Sequence, residues 1–252
     1  MEVHAHTHTE RKKWTHYFWE FFMLFLAVFL GFLVENQREH IVEKKRAHQF
    51  LQSMQVDVQS NIHALDSLLI QDSLIIVNHE ALVLWLLQDS ITIDRAAFAR
   101  TLGAVWVRNF LVRKETYEQM KSSGSLRYVG DIEFLKKMMD YERITNFAQY
   151  RNQEFEKKYY TELFIPALYR SYDLTCQLYL DTSNRSIPQM IAKANNHHDI
   201  LTGADATSFR HEIGSALTLR LERVRRSRDA YINAREACIE MDQLIDKQLG
   251  NR

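Results

Sequence analysis

Backbone breakers are scarce in this 252-residue sequence, which holds seven glycines and two prolines. Average usage, about 7% Gly and 5% Pro, would supply roughly thirty. Few tight turns can form, and a chain rich in Leu, Glu, Gln, Arg, Lys, Met and Ala is then driven towards long helices. Cysteine is as sparse: Cys176 and Cys238 lie far apart with no CxxC. That spacing gives neither a zinc ribbon nor a thioredoxin-type pair, and it leaves open one disulfide in an oxidising compartment. An excess of either charge is missing too, with 32 Lys and Arg against 32 Asp and Glu. No net field recruits a polyanion, so no nucleic-acid partner is expected.

Missing motifs exclude several chemistries. Neither GxGxxG nor GxxxxGK[ST] occurs, and no two glycines are four residues apart, which removes the GxSxG nucleophile elbow. No histidine follows a glutamate by three residues, so the Glu-x-x-His pattern of di-iron bundles is absent. His79-Glu80 and His211-Glu212 lack the second histidine of HExxH and read as ordinary helix residues. His4, His6 and His8 can hold a transition metal weakly, but a floppy tail loses conformational entropy on closing around the ion. His197-His198 reads in the same way. No catalytic, cofactor-binding or metal-ligating set is assigned.

What is present is one long apolar run. Phe21 to Val34, FFMLFLAVFLGFLV, is apolar on every face, unlike a surface helix with its polar stripe. Extended back to Tyr17 it has about eighteen residues, and at about 1.5 Å each that is about 27 Å, near bilayer thickness. Trp14, Tyr17 and Trp19 form an aromatic belt at its start, and Glu20 is shallow enough to reach water. A cleaved signal peptide and a buried core helix are the competing readings. No small-x-small cleavage pattern precedes Glu35-Asn36-Gln37. The sequence therefore divides into a short basic, His-rich tail (1–16), a transmembrane helix (17–34) and a helical soluble domain (35–252). The bilayer is the first expected partner. Basic residues flank the span on both sides, with Arg11, Lys12 and Lys13 before it and Arg38, Lys44, Lys45 and Arg46 after it. A short basic tail normally stays inside, which favours N-in and C-out and, in a bacterium, an inner-membrane protein with a periplasmic domain.

Beyond Gly31 nothing interrupts a helix before Gly103, so the membrane helix is expected to continue as a stalk. Leu51, Met54, Val58, Ile62, Leu65 and Leu69 share one face and need a cover, either another helix or a second copy in a coiled coil. Leu74 to Leu87 is more apolar. As a second span it would carry Asn78, His79 and Glu80 at bilayer depth, so it reads as a central core helix buried on most sides. Asp94 caps a short helix ending at Gly103. A second runs from about Glu115 to Ser123 before Gly124, and Gly130-Asp131 form a turn and N-cap. A helix from Ile132 to about Phe164 is bent or ended by Pro166. Residues 181–206 read as a loop or short helices. Asp205 or Thr207 starts a last helix whose inner face carries Ile213, Leu217, Leu221, Val224, Tyr231, Cys238, Met241 and Ile245. No strand pattern of useful length is seen. The expected fold is all-α: a transmembrane helix continuing into an elongated bundle.

Arg223, Arg225, Arg226 and Arg228 point to different faces of that last helix, and Glu222, Asp229 and Glu236 can pair with them, so they read as a solvated face. FFMLFLAVFLGFLVENQREH at the membrane exit and TYEQMKSSGSLRYV at 116–129 resemble an uncharacterised family of small membrane proteins of Bacteroidetes-type bacteria. The resemblance implies one membrane helix and an all-helical domain and brings no catalytic residues. Its Ser122-Ser123-Gly124 turn reads as structural first, and as a ligand or partner contact second. The leading function is a non-enzymatic, membrane-tethered scaffold that binds an envelope protein or self-associates. A ligand-sensing domain acting through a partner comes next, and an enzyme with a scattered site last.

Overall fold

A computed structural model describes residues 14–88, 92–102, 107, 109–171 and 199–250. The chain is all-α. Helix α1, Trp14–Leu86, runs 73 residues without a break, as the absence of Gly and Pro between 31 and 103 requires. Its most apolar 18-residue window has a mean hydropathy of 2.1 and is wholly unburied, so this helix is long and apolar enough to span a membrane. From Trp14 to Arg46 it has no buried residue, although the His40 ring meets that of Tyr128 at 6.2 Å, and Ala47 is its first buried residue. Along the bare stretch Glu35–Arg38 and Glu43–Arg46 pair at 3.1 and 2.7 Å, one turn apart.

Strand β1 (Thr92–Asp94) leads into α2 (Arg95–Leu102), where the Asp94 carboxylate accepts the Ala97 amide at 3.2 Å. Helix α3 (Glu115–Ser122) stops at Gly124, whose φ of 70° suits a residue without Cβ. A 3₁₀ turn, Ser125–Tyr128, follows. Helix α4 (Ile132–Tyr150) starts where Asp131 accepts the Phe134 amide at 2.8 Å. It runs on through wide π turns at Arg151–Lys157 and Tyr160–Phe164 into α5 (Ile165–Ser171). Strand β2 (Ile200–Thr202) precedes α6 (Gly203–Leu249).

Four expectations are corrected. Pro166 neither ends nor breaks the helix. It is the second residue of α5, directly after a π turn that already interrupts the i→i−4 ladder its missing N–H would have joined. A sheet does exist: β1 and β2 pair antiparallel, with Ile93 opposite Leu201. Three residues per strand are too few for alternation to show. The last helix starts at Gly203, before Asp205 or Thr207, with Thr202 as its extended N-cap. The 74–87 stretch is buried on one face, through Ile75, His79, Leu82 and Leu86, while Leu74, Val77, Leu84 and Leu87 stay exposed. Residues 181–198 of the expected loop lie outside the described residues.

Helix α6 returns antiparallel along α1. Gln55 donates to Asp246 at 2.6 Å, Gln59 to Asp242 at 3.2 Å and Arg235 to Asp66 at 2.5 Å, and Arg225 pairs with Glu80. Each exposed pair contributes about 0–1 kcal/mol, so these fix register, and the apolar faces between them stabilise. All eight residues expected on the inner face of α6 are buried. The core has two parts. One joins α1 from Ala47 to Leu68 with α3, α4 and the distal half of α6; the other joins Leu82 and Leu86 with α2, the 159–168 turn region and Ala206 to Leu217. Burying each Leu, Ile, Val or Met there contributes about 1.5–3 kcal/mol.

Between Asn109 and Lys114 the chain is neither helix nor strand, with Phe110 and Val112 buried and Asn109 and Leu111 exposed. Its buried amides still need acceptors. Side chains supply them: Asn152 Oδ1 takes Phe110 N, Gln149 Oε1 takes Val112 N and Asn61 Oδ1 takes Arg113 N, each at 2.8 Å.

Candidate functional site

The two apolar cores are separated by a polar layer. Asp72 and His79 from α1, Asn152 and Glu156 from the first π turn, and Arg220, Ser227 and Tyr231 from α6 are all buried. Asn152 Nδ2 donates to the Tyr231 hydroxyl at 2.8 Å, and that hydroxyl donates to Glu156 Oε2 at 2.8 Å. The chain of bonds runs from the Phe110 amide through Asn152 and Tyr231 to a carboxylate, and it crosses three segments distant in sequence. A π turn is a disfavoured ladder that persists where surrounding contacts hold it, and such turns recur at functional sites.

Burial disfavours charge, and here it acts on both signs. It raises the Asp72 carboxyl to about 8, reinforced by Glu156 and opposed by Arg228 and Arg220. It also raises Glu156, against the Tyr231 bond and the Arg220 charge. Arg220, 2% exposed, is pushed down to about 10 by burial while its carboxylate and tyrosine neighbours hold it up. Its guanidinium lies 4.9 and 4.5 Å from the ring centres of Tyr160 and Phe164, a cation–π arrangement strengthened by desolvation. His79 stacks on Phe164 at 6.1 Å and is lowered to about 3, first by burial and then by Arg220, so it is neutral at pH 7. It also borders a cavity of about 420 Å³ with Gln71, Asn78 and Leu102. The layer sets two carboxyls, both raised by burial, beside the Arg220 guanidinium.

The residues singled out in the sequence are dispersed. Ser122 Oγ donates to Gln119 O at 3.0 Å; Ser123 Oγ donates to Met120 O at 3.2 Å and lies 2.9 Å from Ser125 Oγ. These hydroxyls close the end of α3. Among the four arginines, Arg225 reaches across to Glu80 and Arg226 pairs with Glu222 at 2.5 Å. Arg223 lies over Phe155 and Tyr159 at 5.6 and 5.8 Å. Arg228 acts on Asp72. Glu212 pairs with Arg170 at 3.4 Å, not with His211. Cys238 is a free, fully buried thiol pushed up to about 12 by burial. Cys176, His4, His6, His8, His197 and His198 lie outside the described residues. Among the described residues no three His, Cys, Asp or Glu gather as a metal site.

Two surface features complete the inventory. An open groove of about 920 Å³ lies between the end of α1 and α6, with Val83, Leu87 and Leu219 along it and Arg210 and His211 at its rim. Opposite its own core, α1 exposes Ile70, Leu74, Val77 and Leu84, each 62–66% accessible. Comparison with known protein families, curated proteins and solved structures finds no match for the chain.

Proposed function

We propose that this chain is a single-pass, membrane-anchored helical interaction protein, a scaffold rather than an enzyme, with residues 17–34 in the bilayer and the bundle held beyond it on a continuous stalk. The bare apolar row on α1 carries the reading. Monomers rarely leave so ordered an apolar face uncovered unless something docks there. The aromatic belt Trp14, Tyr17 and Trp19, all more than half exposed, supports the anchor. The resemblance to a bacterial family and the short basic tail support an inner-membrane location with the bundle on the periplasmic side.

The experiment is fractionation with topology mapping. The full chain should resist alkaline extraction from membranes, and Phe25→Glu combined with Phe29→Glu should release it. A cysteine placed near the C-terminus should react with an impermeant thiol reagent on intact cells. Extraction of the unaltered chain would end the anchored reading. Protection of the cysteine until lysis would reverse the orientation.

A ligand-sensing role is the second reading, favoured by the groove beside Arg210. Its volume suits a small molecule, and Arg210 Nε is buried there with no hydrogen-bond partner among the described residues. Thermal-shift screening with small organic anions tests it: stabilisation lost in Arg210→Gln supports sensing, and no stabiliser counts against it.

A further inference from the structure

Between residues 68 and 86, α1 carries two seams, one buried and one exposed. Leu68, Asp72, Ile75, His79, Leu82 and Leu86 face the bundle. Ile70, Leu74, Val77, Ala81 and Leu84 follow the same alternation of four and three residues, displaced by two positions. Two positions are about 200° on a helix, so the second seam points directly away from the core. Ala81 is exposed and the four larger residues are 62–66% accessible. Five successive apolar residues at 4-3-4-3 spacing form the a and d pattern of knobs-into-holes pairing.

We infer that a second copy of this chain covers the seam, forming a parallel, in-register pair of α1 helices. The inference rests on the anchored reading above, because the anchor fixes the geometry. Two copies in one membrane rise from it in the same direction, and an unbroken helix brings Ile70 of each to the same height. Antiparallel or shifted pairing is excluded by that tether. Charge agrees with self-pairing. In a symmetric pair a charged flank meets its own sign; on α1 the positions beside this seam are Gln71, Ser73 and Asn78, with Glu80 paired to Arg225, and the α6 side chains that border Val77 carry both signs, Arg225 and Arg228 with Asp229. Below the seam the same row turns polar at Ser67 and His63, so the contact is confined to about two heptads.

The area sets the conditions under which it forms. Five side chains of this size remove on the order of 400–500 Å² per copy, below the roughly 800 Å² of a standard stable interface. Confinement to one membrane raises the effective concentration and compensates for the small area. The pair should be firm in a bilayer and weak in dilute detergent.

The test uses the purified full chain in vesicles of neutral and anionic phospholipid, with Cys176→Ala in the background; Cys238 is fully buried. Val77→Cys should form a symmetric disulfide several-fold faster than the exposed control Lys136→Cys. Adding Leu74→Glu and Leu84→Glu should abolish that difference, and circular dichroism should show unchanged helicity. Co-capture of two differently tagged copies gives a second readout and should fall with the same pair of changes. Equal crosslinking at 77 and 136 would mean random collision and overturn the pair. Protein that inserts but neither crosslinks nor co-captures would overturn the pair and leave the anchored reading intact. Protein that fails to enter the vesicles would overturn both.

Discussion

The Tyr231 hydroxyl stands between two buried polar groups, accepting from Asn152 and donating to Glu156 at 2.8 Å each. One oxygen thereby joins a π turn to the last helix. Tyr231→Phe keeps the ring and removes one buried hydrogen bond from each partner, so it should destabilise the fold by about 1–3 kcal/mol in urea unfolding. A change within about 0.3 kcal/mol would mean that water replaces the hydroxyl.

Arg220 makes a complementary case. Removing a buried cation alone strands the carboxylate that faces it, a loss of about 3–5 kcal/mol, whereas removing both charges together costs far less. Arg220→Met should be strongly destabilising, and Arg220→Met with Glu156→Gln should recover most of the loss. Additive losses in the double variant would show that the two groups do not depend on each other.

The pH dependence has two limbs of opposite sign. Asp72 is raised from 3.8 to about 8, so between those values the folded chain keeps a proton that the unfolded chain has released. Stability from this group is fully present below pH 4 and falls as pH rises to about 8. His79 is lowered from 6.5 to about 3, so over that range the unfolded chain binds the extra proton. Its contribution is present above pH 6.5 and is lost as pH falls towards 3. The two slopes oppose each other from pH 4 to 6.5, and above that the raised carboxyls Asp72 and Glu156 set the sign. Asp72→Asn should tilt the pH dependence up to 6.5 towards stability rising with pH, and His79→Gln should leave it falling from pH 4 to 8, each change being on the order of 1 kcal/mol per pH unit. Unfolding curves at pH 5, 6, 7 and 8 check both; unchanged slopes in the variants would reject the assignment.

Two glycines should respond in opposite ways to alanine. Gly214 lies within α6 at an ordinary helical position, where a Cβ would meet only Leu86 Cδ1 at 3.7 Å. Gly214→Ala should stabilise by about 0.5–1 kcal/mol. Gly124 holds φ at 70°, and Gly124→Ala should destabilise by about 1 kcal/mol through the left-handed backbone. Melting temperatures of the two variants, moving in opposite directions, are the check.

The helices were legible because their signals are local. Gly124 and Asp131 mark a stop and a start within four residues of the atoms they serve, and the row from Ile213 to Ile245 repeats often enough for its period to be read. The polar layer was not legible, because Asp72, Glu156 and Arg220 become neighbours only after three segments meet. A partial clue existed: Asp72 and His79 sit on the same helical row as Leu65, Leu68, Ile75 and Leu82, a position where a solvated residue is out of place. The irregular segment from Asn109 to Lys114 left no such trace, since its amides are paired by Asn61, Gln149 and Asn152 rather than by a neighbouring strand. Pro166 misled because its usual meaning assumes an unbroken α ladder before it, and a π turn ends two residues earlier.

The unbroken course of α1 makes the protein a ruler. From Val34 to Leu86 there are 52 residues, a rise of about 78 Å at 1.5 Å each, with no Gly or Pro after Gly31 to fold the rod back. Held by residues 17–34, the far tip with its groove and small sheet would work at a set height, while the antiparallel return of α6 brings Leu249 back beside the stalk. Inserting or deleting residues in the exposed stretch between Val34 and His40 would change that height by about 1.5 Å per residue. It would also turn the whole bundle by about 100° per residue, so whatever meets the tip is addressed by distance and by azimuth at once.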